Sequence, residues 1–290
     1  MFKYYKSWVP YTFLIPAGII LVLFFFIPFF ESFLLSFQSY RRDIYNPQWI
    51  GLANYMELFN SPIFWKTMLN TLIYLVCAVP LLVILPIVIA VAVNQKIKGV
   101  AIYRALIYIP VIVSIVVAGI TWKWLYASSG ILNYLLSFFH IAPVGWLTDP
   151  SIAIYSVIAV TIWKGLGYYM IIYLSALTSV PQDLYEAADI DGANTWQKHL
   201  TVTVPHLKPT IALVSIISSI SAMKVFVEIY VMTQGGPLNS SKTIVYYIYQ
   251  RAFENLDLGY ASAAGVVLLV IIMALSMANM KYFEGNKYSL

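Results

Sequence analysis

The sequence predicts an all-α membrane protein of six transmembrane helices in one domain over residues 1–290. Three observations carry that expectation. The chain is 61% hydrophobic and only 10% charged, where a soluble domain carries about 25% charged residues. The charges cluster, leaving no Asp, Glu, Lys or Arg at residues 67–95, 105–122, 150–163, 165–182 and 258–280. These gaps approach or reach the roughly 18–20 residues of a bilayer-crossing helix, once the two middle ones are joined through Lys164. One polar, helix-forming stretch, Ser179 to Pro209, interrupts this apolar chain like a handle on a membrane body.

Taken in order, the first span covers residues 11–37 and is interrupted by Glu31. Pro16, Gly18 and Pro28 predict a bend near its outer end. Its basic-then-apolar start has the shape of a signal peptide, but the run is long and lacks a small-residue cleavage site, so an uncleaved span is expected. An outer loop follows with Trp49 to Tyr55 and Ile63-Phe64-Trp65, aromatic segments suited to the membrane interface. The second span, 67–94, contains Pro80 and Pro86 and should kink. The single Cys77 lies within it as a small buried hydrophobe and excludes an intrachain disulfide framework. A short basic loop leads through Arg104 into the third span, 104–126, and a second outer loop reaches Pro150. The fourth span is 151–179, the handle 180–208, the fifth span 209–233, interrupted by Lys224 and Glu228, and the sixth 258–281.

An even number of spans puts both termini on one side. That side holds nine Lys/Arg (Lys3, Lys6, Lys96, Lys98, Arg104, Lys198, Lys208, Lys281 and Lys287) against six on the other (Arg41, Arg42, Lys66, Lys123, Lys242 and Arg251). Excess positive charge marks the cytoplasmic face, so termini and handle are expected inside. The net charge of +5 then reflects topology rather than nucleic-acid binding.

The handle reads as two short helices set at an angle. Ser179 and Gln182 have capping-box spacing, with Pro181 near the first turn. Leu184, Ala187, Ala188 and Asp191 form one stripe whose two alanines let another protein surface approach closely, while Asp183, Glu186 and Asp189 place acids around the rest. Gly192 is the natural stop, because it turns left-handed without a Cβ clash. Asn194 and Gln197 open a second helix, expected to reach about Val204 before Pro205 and Pro209 interrupt it.

Glu186-Ala187-Ala188, Asp191-Gly192-Ala193 and Val202-Thr203-Val204-Pro205 together resemble the cytoplasmic EAA loop of permease subunits of ABC importers that work with a substrate-binding protein. Three positions depart from that pattern: His199 stands where Phe is common, Val202 where Ile is, and Val204 where Leu is. The resemblance runs nearly end to end. Gly51-Leu52-Ala53-Asn54-Tyr55 with Phe64-Trp65, Tyr108-Ile109-Pro110, Gly130-Ile131-Leu132-Asn133, Gly145 to Pro150, Gly235-Gly236-Pro237 and Gly259 to Ala263 resemble the sugar branch, maltose and glycerol-phosphate type, and the GGP loop its first type of subunit. It implies a type I importer permease fold with a coupling helix, in which Glu186, Ala187, Ala188, Asp191, Gly192, Ala193 and Pro205 meet the ATPase. It further implies a bacterial-type inner membrane location. The partners implied are a second, homologous permease, an ATPase dimer and an external solute-binding protein. No cofactor is implied in this chain; ATP and Mg would be bound by the ATPase subunits.

Polar residues inside spans are the candidates for a solute pathway. Lys164 falls near mid-membrane, where ionisable groups mark either a pathway or a structural pairing. A sugar is held by hydrogen bonds and aromatic faces, so Trp163, Lys164, Tyr168 and Tyr169 are candidates. On the fifth span Lys224 and Glu228, four apart, could neutralise each other, with Met223, Phe226 and Tyr230 beside them. The same charges would serve an ion-coupled secondary transporter, which the absence of inverted repeats disfavours. Residues 236–243, GPLNSSKT, approach a P-loop, but Ser241 replaces the second Gly and Pro237 distorts the turn, so no phosphate cradle forms. His140, His199 and His206 have no companions at metal-ligand spacing, and no catalytic motif is present, so no enzyme is expected.

Overall fold

The apolar runs fold as helices in a computed structural model that describes residues 8–39, 47–95 and 98–284. Of the charges that set the expected orientation, Lys3, Lys6, Arg41, Arg42, Lys96 and Lys287 lie outside those residues. The helices are α1 (Val9–Leu21), α2 (Ile27–Leu35), α3 (Ala53–Asn60), α4 (Pro62–Val93), α5 (Val100–Ile112), α6 (Ile115–Leu125), α7 (Ile131–Ser137) and α8 (Ala153–Leu177). They continue with α9 (Gln182–Ile190), α10 (Thr195–Lys198), α11 (Val204–His206), α12 (Lys208–Met223), α13 (Val227–Met232), α14 (Ile244–Tyr249) and α15 (Leu258–Glu284).

Among the described residues, four continuous stretches are long and apolar enough to cross a bilayer: Tyr11–Leu35, Pro62–Val93, Ala153–Leu177 and Leu258–Phe283. The other two spans are broken, which corrects the reading of uninterrupted helices there. The third bends by 97° between α5 and α6, where Val113 and Ser114 are extended. The fifth stops at Met223 and resumes as the short α13, with the Val225 carbonyl at the break accepting from Thr243 Oγ1 at 3.1 Å. The second span begins earlier than its charge-free run, at Pro62, and stays helical through Pro80 and Pro86.

Two π-helical turns, Val22–Phe26 and His199–Thr203, each end two residues before a proline, Pro28 and Pro205. The i→i+5 bonds Ile27 N–H to Val22 and Val204 N–H to His199 widen the helix there. The ring then enters where the ordinary ladder would be blocked. This is how the second handle helix runs on through Pro205 to His206, beyond the expected end at Val204.

The chain divides into two compact units. The first comprises the described residues of Met1–Ser61 together with Ile248–Leu269. In it Gln38–Ser39 and Gln48–Trp49 pair as a short antiparallel ribbon. The buried Asn54 amide clamps the ribbon, donating to the Ser36 and Gln38 carbonyls at 2.9 Å each. Phe37 lies against Phe33, Trp49 and Tyr55, and Gly259 leaves room for the Gln38 carbonyl, which any Cβ there would overlap. The positions of α1 and α2 that are described carry no buried side chain.

The second unit is Pro62–Tyr247 with the described residues of Val270–Leu290. Its core lies between α4 and α8, around Tyr74, Ala78, Val157, Met170 and Tyr173. Packing is close because Gly167 faces the α5 backbone: a Cβ would overlap the Ile107 carbonyl and stand 2.9 Å from Tyr108 Cα. Gly119 likewise lets α6 approach Val231 of α13.

Candidate functional site: a locked elbow and a polar interior

The handle is an elbow whose parts are hydrogen-bonded to one another. α9 starts after Pro181, which is extended; Ser179 Oγ instead donates back to the Ala176 carbonyl at 2.7 Å, so the expected box with Gln182 does not form. The reason is local: the proline ring takes the position a capping residue would occupy. At the other end Gly192 has φ +75°, and the Gly192 N–H to Asp189 and Ala193 N–H to Ala188 bonds close a Schellman motif. The second box forms as expected, with Gln197 N–H donating to Asn194 Oδ1 at 2.9 Å and Asn194 N–H to Gln197 Oε1 at 2.8 Å.

Two ties then fix the angle. Lys198 Nζ meets Asp189 Oδ1 at 2.6 Å, and Thr203 Oγ1 joins the Tyr185 hydroxyl at 2.9 Å and His199 Nδ1 at 3.1 Å. His199, the departure from the usual Phe, thus makes a polar contact within the elbow. Outward, the elbow presents Leu184, Ile190 and Trp196, of which Ile190 is 87% and Trp196 69% exposed. Glu186, Ala187, Asp191 and Gly192 are exposed, Ala188 and Ala193 half-buried, and Pro205 exposed at the base. Sequence reasoning missed Ile190 and Trp196, although a bare Ile and Trp in a polar segment were the signal.

Inside the second unit, Lys164 points at the break in the third span. Its ammonium donates to the carbonyls of Pro110, Val111 and Val113 at 3.1, 3.2 and 2.7 Å. Thr161, one turn away, bonds the buried Tyr74 hydroxyl, and Glu228 from α13 interacts with both Thr161 and Lys164. Lys224 and Glu228 do not pair across one turn as the spacing allowed, because Lys224 ends α12 and the break lies between them.

Lys224, Phe226 and Glu228 instead line, with Ser221, an open pocket of about 320 Å³ at that break. Tyr169 of α8 lies beside Ser221, and Phe226 and Tyr230 stack at 5.4 Å. Trp163 packs edge-on against Trp122 at 5.4 Å, and Tyr168 lies beside Tyr169. Met223 is turned away into an apolar groove with Trp65, Leu72 and Leu275.

The loops that end these helices are held by buried polar groups. Asn70 donates to the Asn239 and Lys242 carbonyls at 2.8 and 2.9 Å, fixing the GGP loop. Ser241 there is fully buried and Lys242 only 8% exposed, so neither is presented to a phosphate. Asn133 accepts from the Val144 N–H and Trp146 Nε1 at 2.9 and 3.1 Å. Asp149, bonded to the Ser151 hydroxyl and N–H, is held below the usual carboxylate range.

A family model described as binding-protein-dependent transport system inner membrane component matches residues 50–286. The chain is 33% identical to the arabinooligosaccharides transport system permease protein AraP of Bacillus subtilis, covering 98% of this chain and 92% of that one. It is also 33% identical to the lactose transport system permease protein LacF of Rhizobium radiobacter, covering 96% and 94%. Among solved structures, a chain of a bacterial ABC transporter involved in import of the acidic polysaccharide alginate matches with TM-score 0.87 at 26% identity, covering 97% and 96%. A chain of a bacterial alginate transporter in complex with an alginate pentasaccharide-bound periplasmic protein matches at TM-score 0.82 and 27% identity, covering 94% and 93%.

Proposed function

The chain belongs to the family of binding-protein-dependent transport system inner membrane components, and from that premise we propose that it carries a sugar, oligosaccharide or glycoside across the membrane. It is a membrane subunit of an ABC importer, and it works with a second permease, an external binding protein and ATPase subunits that hydrolyse ATP. ATP and Mg²⁺ bind in those ATPase subunits, and the elbow lies on the cytoplasmic face against them.

The observation that carries this reading is the elbow itself. A segment tied by a Schellman motif, a capping box, an ion pair and a shared threonine transmits a push instead of absorbing it. It lies in sequence between α8 and α12, and α12 carries Ser221 into the polar pocket, with Lys224 directly after its end. Closure of an ATPase dimer on Leu184, Ile190 and Trp196 therefore moves the two helices that flank the elbow, α8 and α12, as rigid bodies. At the break after α12, Phe226 and Tyr230 offer aromatic faces, while Ser221, Lys224 and Glu228 offer hydrogen bonds, the combination a sugar requires. The sugar class is supported by the arabinooligosaccharide, lactose and alginate proteins named above.

Gly192→Pro and Glu186→Lys test it. Both are expected to lose the ATPase on purification, or to hydrolyse ATP without uptake; normal uptake by both would refute the assignment. Uptake that survives ATP depletion but is abolished by an uncoupler would point to an ion-coupled carrier instead.

A further inference from the structure

We infer that Lys164 is the positioning residue that keeps the third span broken and so places α6 along α13, where the pathway pocket lies. In a continuous α-helix the carbonyls of Pro110, Val111 and Val113 would accept from the N–H groups four residues on, at Ser114, Ile115 and Val117. The 97° bend takes those donors away. Non-helical backbone at membrane depth persists only where something else satisfies it. Here that something is one ammonium on a neighbouring helix, within 3.2 Å of all three oxygens.

The surroundings are arranged for this. Gly167, one turn beyond Lys164 on α8, removes the side chain that would hold α5 away. Cations are favoured at a helix C-terminus, where the dipole is negative, and α5 ends there. Glu228, on α13, faces the same interior as Lys164 and Thr161 of α8. The consequence runs to the pocket: α6 lies against α13 at Gly119 and Val231, and α13 carries Glu228. Without the ammonium, the segment regains its hydrogen bonds only by straightening, which draws α6 off α13.

The test reads the bend directly in the complete transporter in nanodiscs, with spin labels at Ile102→Cys and Trp124→Cys in a Cys77→Ala background. Both label sites are well exposed, at 65% and 76%. At ~1.5 Å rise per residue the two arms are roughly 17 and 15 Å long, which gives a separation of about 21 Å across the bend and about 32 Å in a straight helix. The unmodified lysine is expected to give the short distance, Lys164→Met to shift the distribution toward the long one, and Lys164→Arg, which retains donors and charge, to restore the short one. Should Lys164→Met fail to assemble, Lys164→Gln, with two N–H donors but no charge, is expected to give a mixed distribution. A wild-type distribution in whichever of the two assembles would overturn the inference. This readout needs no solute, so failure of the sugar reading would leave it untouched.

Discussion

Gly192→Ala isolates the backbone contribution to the elbow. Nothing lies within 4 Å of a Cβ built at Gly192, so the substitution meets no steric obstacle. What it does meet is φ +75°, a region that costs an L-residue about 1–2 kcal/mol. That corresponds to a factor of roughly 5 to 30 in the closed-to-open equilibrium constant of the Schellman turn. Two measurements follow. Amide hydrogen exchange at Gly192 and Ala193, whose N–H groups donate to Asp189 and Ala188, is expected to accelerate by a comparable factor. Affinity for the ATPase subunit, measured with the permease in nanodiscs, is expected to weaken by up to about tenfold, since only the closed elbow docks. Gly192→Pro, which fixes φ near −65° and removes the Gly192 donor, is expected to do more on both counts. Unchanged exchange and unchanged affinity in Gly192→Ala would mean that the left-handed turn does not hold the elbow, and the rigid-transmission argument would fail with it.

Other perturbations separate the remaining parts. Ile190→Ala and Trp196→Ala, at positions 87% and 69% exposed, are expected to leave thermal stability unchanged while each weakens ATPase binding by more than about 1 kcal/mol, as anchor residues do. Asp189→Ala breaks an ion pair whose carboxylate is 59% exposed; a loss of only about 0.2–1 kcal/mol is expected, shrinking at high salt, readable as a salt-dependent melting shift. Asn54→Ala strands the Ser36 and Gln38 carbonyls beside a cavity and should cost about 1–3 kcal/mol per stranded group, seen as a lowered melting temperature with ATPase binding intact.

Several features were legible from local chemistry. The Gly192 stop and the Asn194–Gln197 box need only neighbours in the chain, so the residue types specified them. The Ser179 box failed for an equally local reason, the ring of Pro181. The motif residues Asn54, Asn133 and Gly259 were visible as a pattern, but their work was not: each serves backbone or side-chain groups brought up by the fold. Lys224 and Glu228 show the limit of helical spacing, since four residues make a pair only if the helix continues between them.

Hydrophobic runs marked which segments can cross a bilayer, and the Gly192 stop and the Asn194–Gln197 box marked the elbow's turn, because burial in lipid and short-range hydrogen bonds act on the sequence directly. Where the spans break was settled only by tertiary structure. A backbone carbonyl at membrane depth can leave its helix only when a donor arrives from elsewhere, and for Pro110, Val111 and Val113 that donor is Lys164, more than fifty residues along the chain.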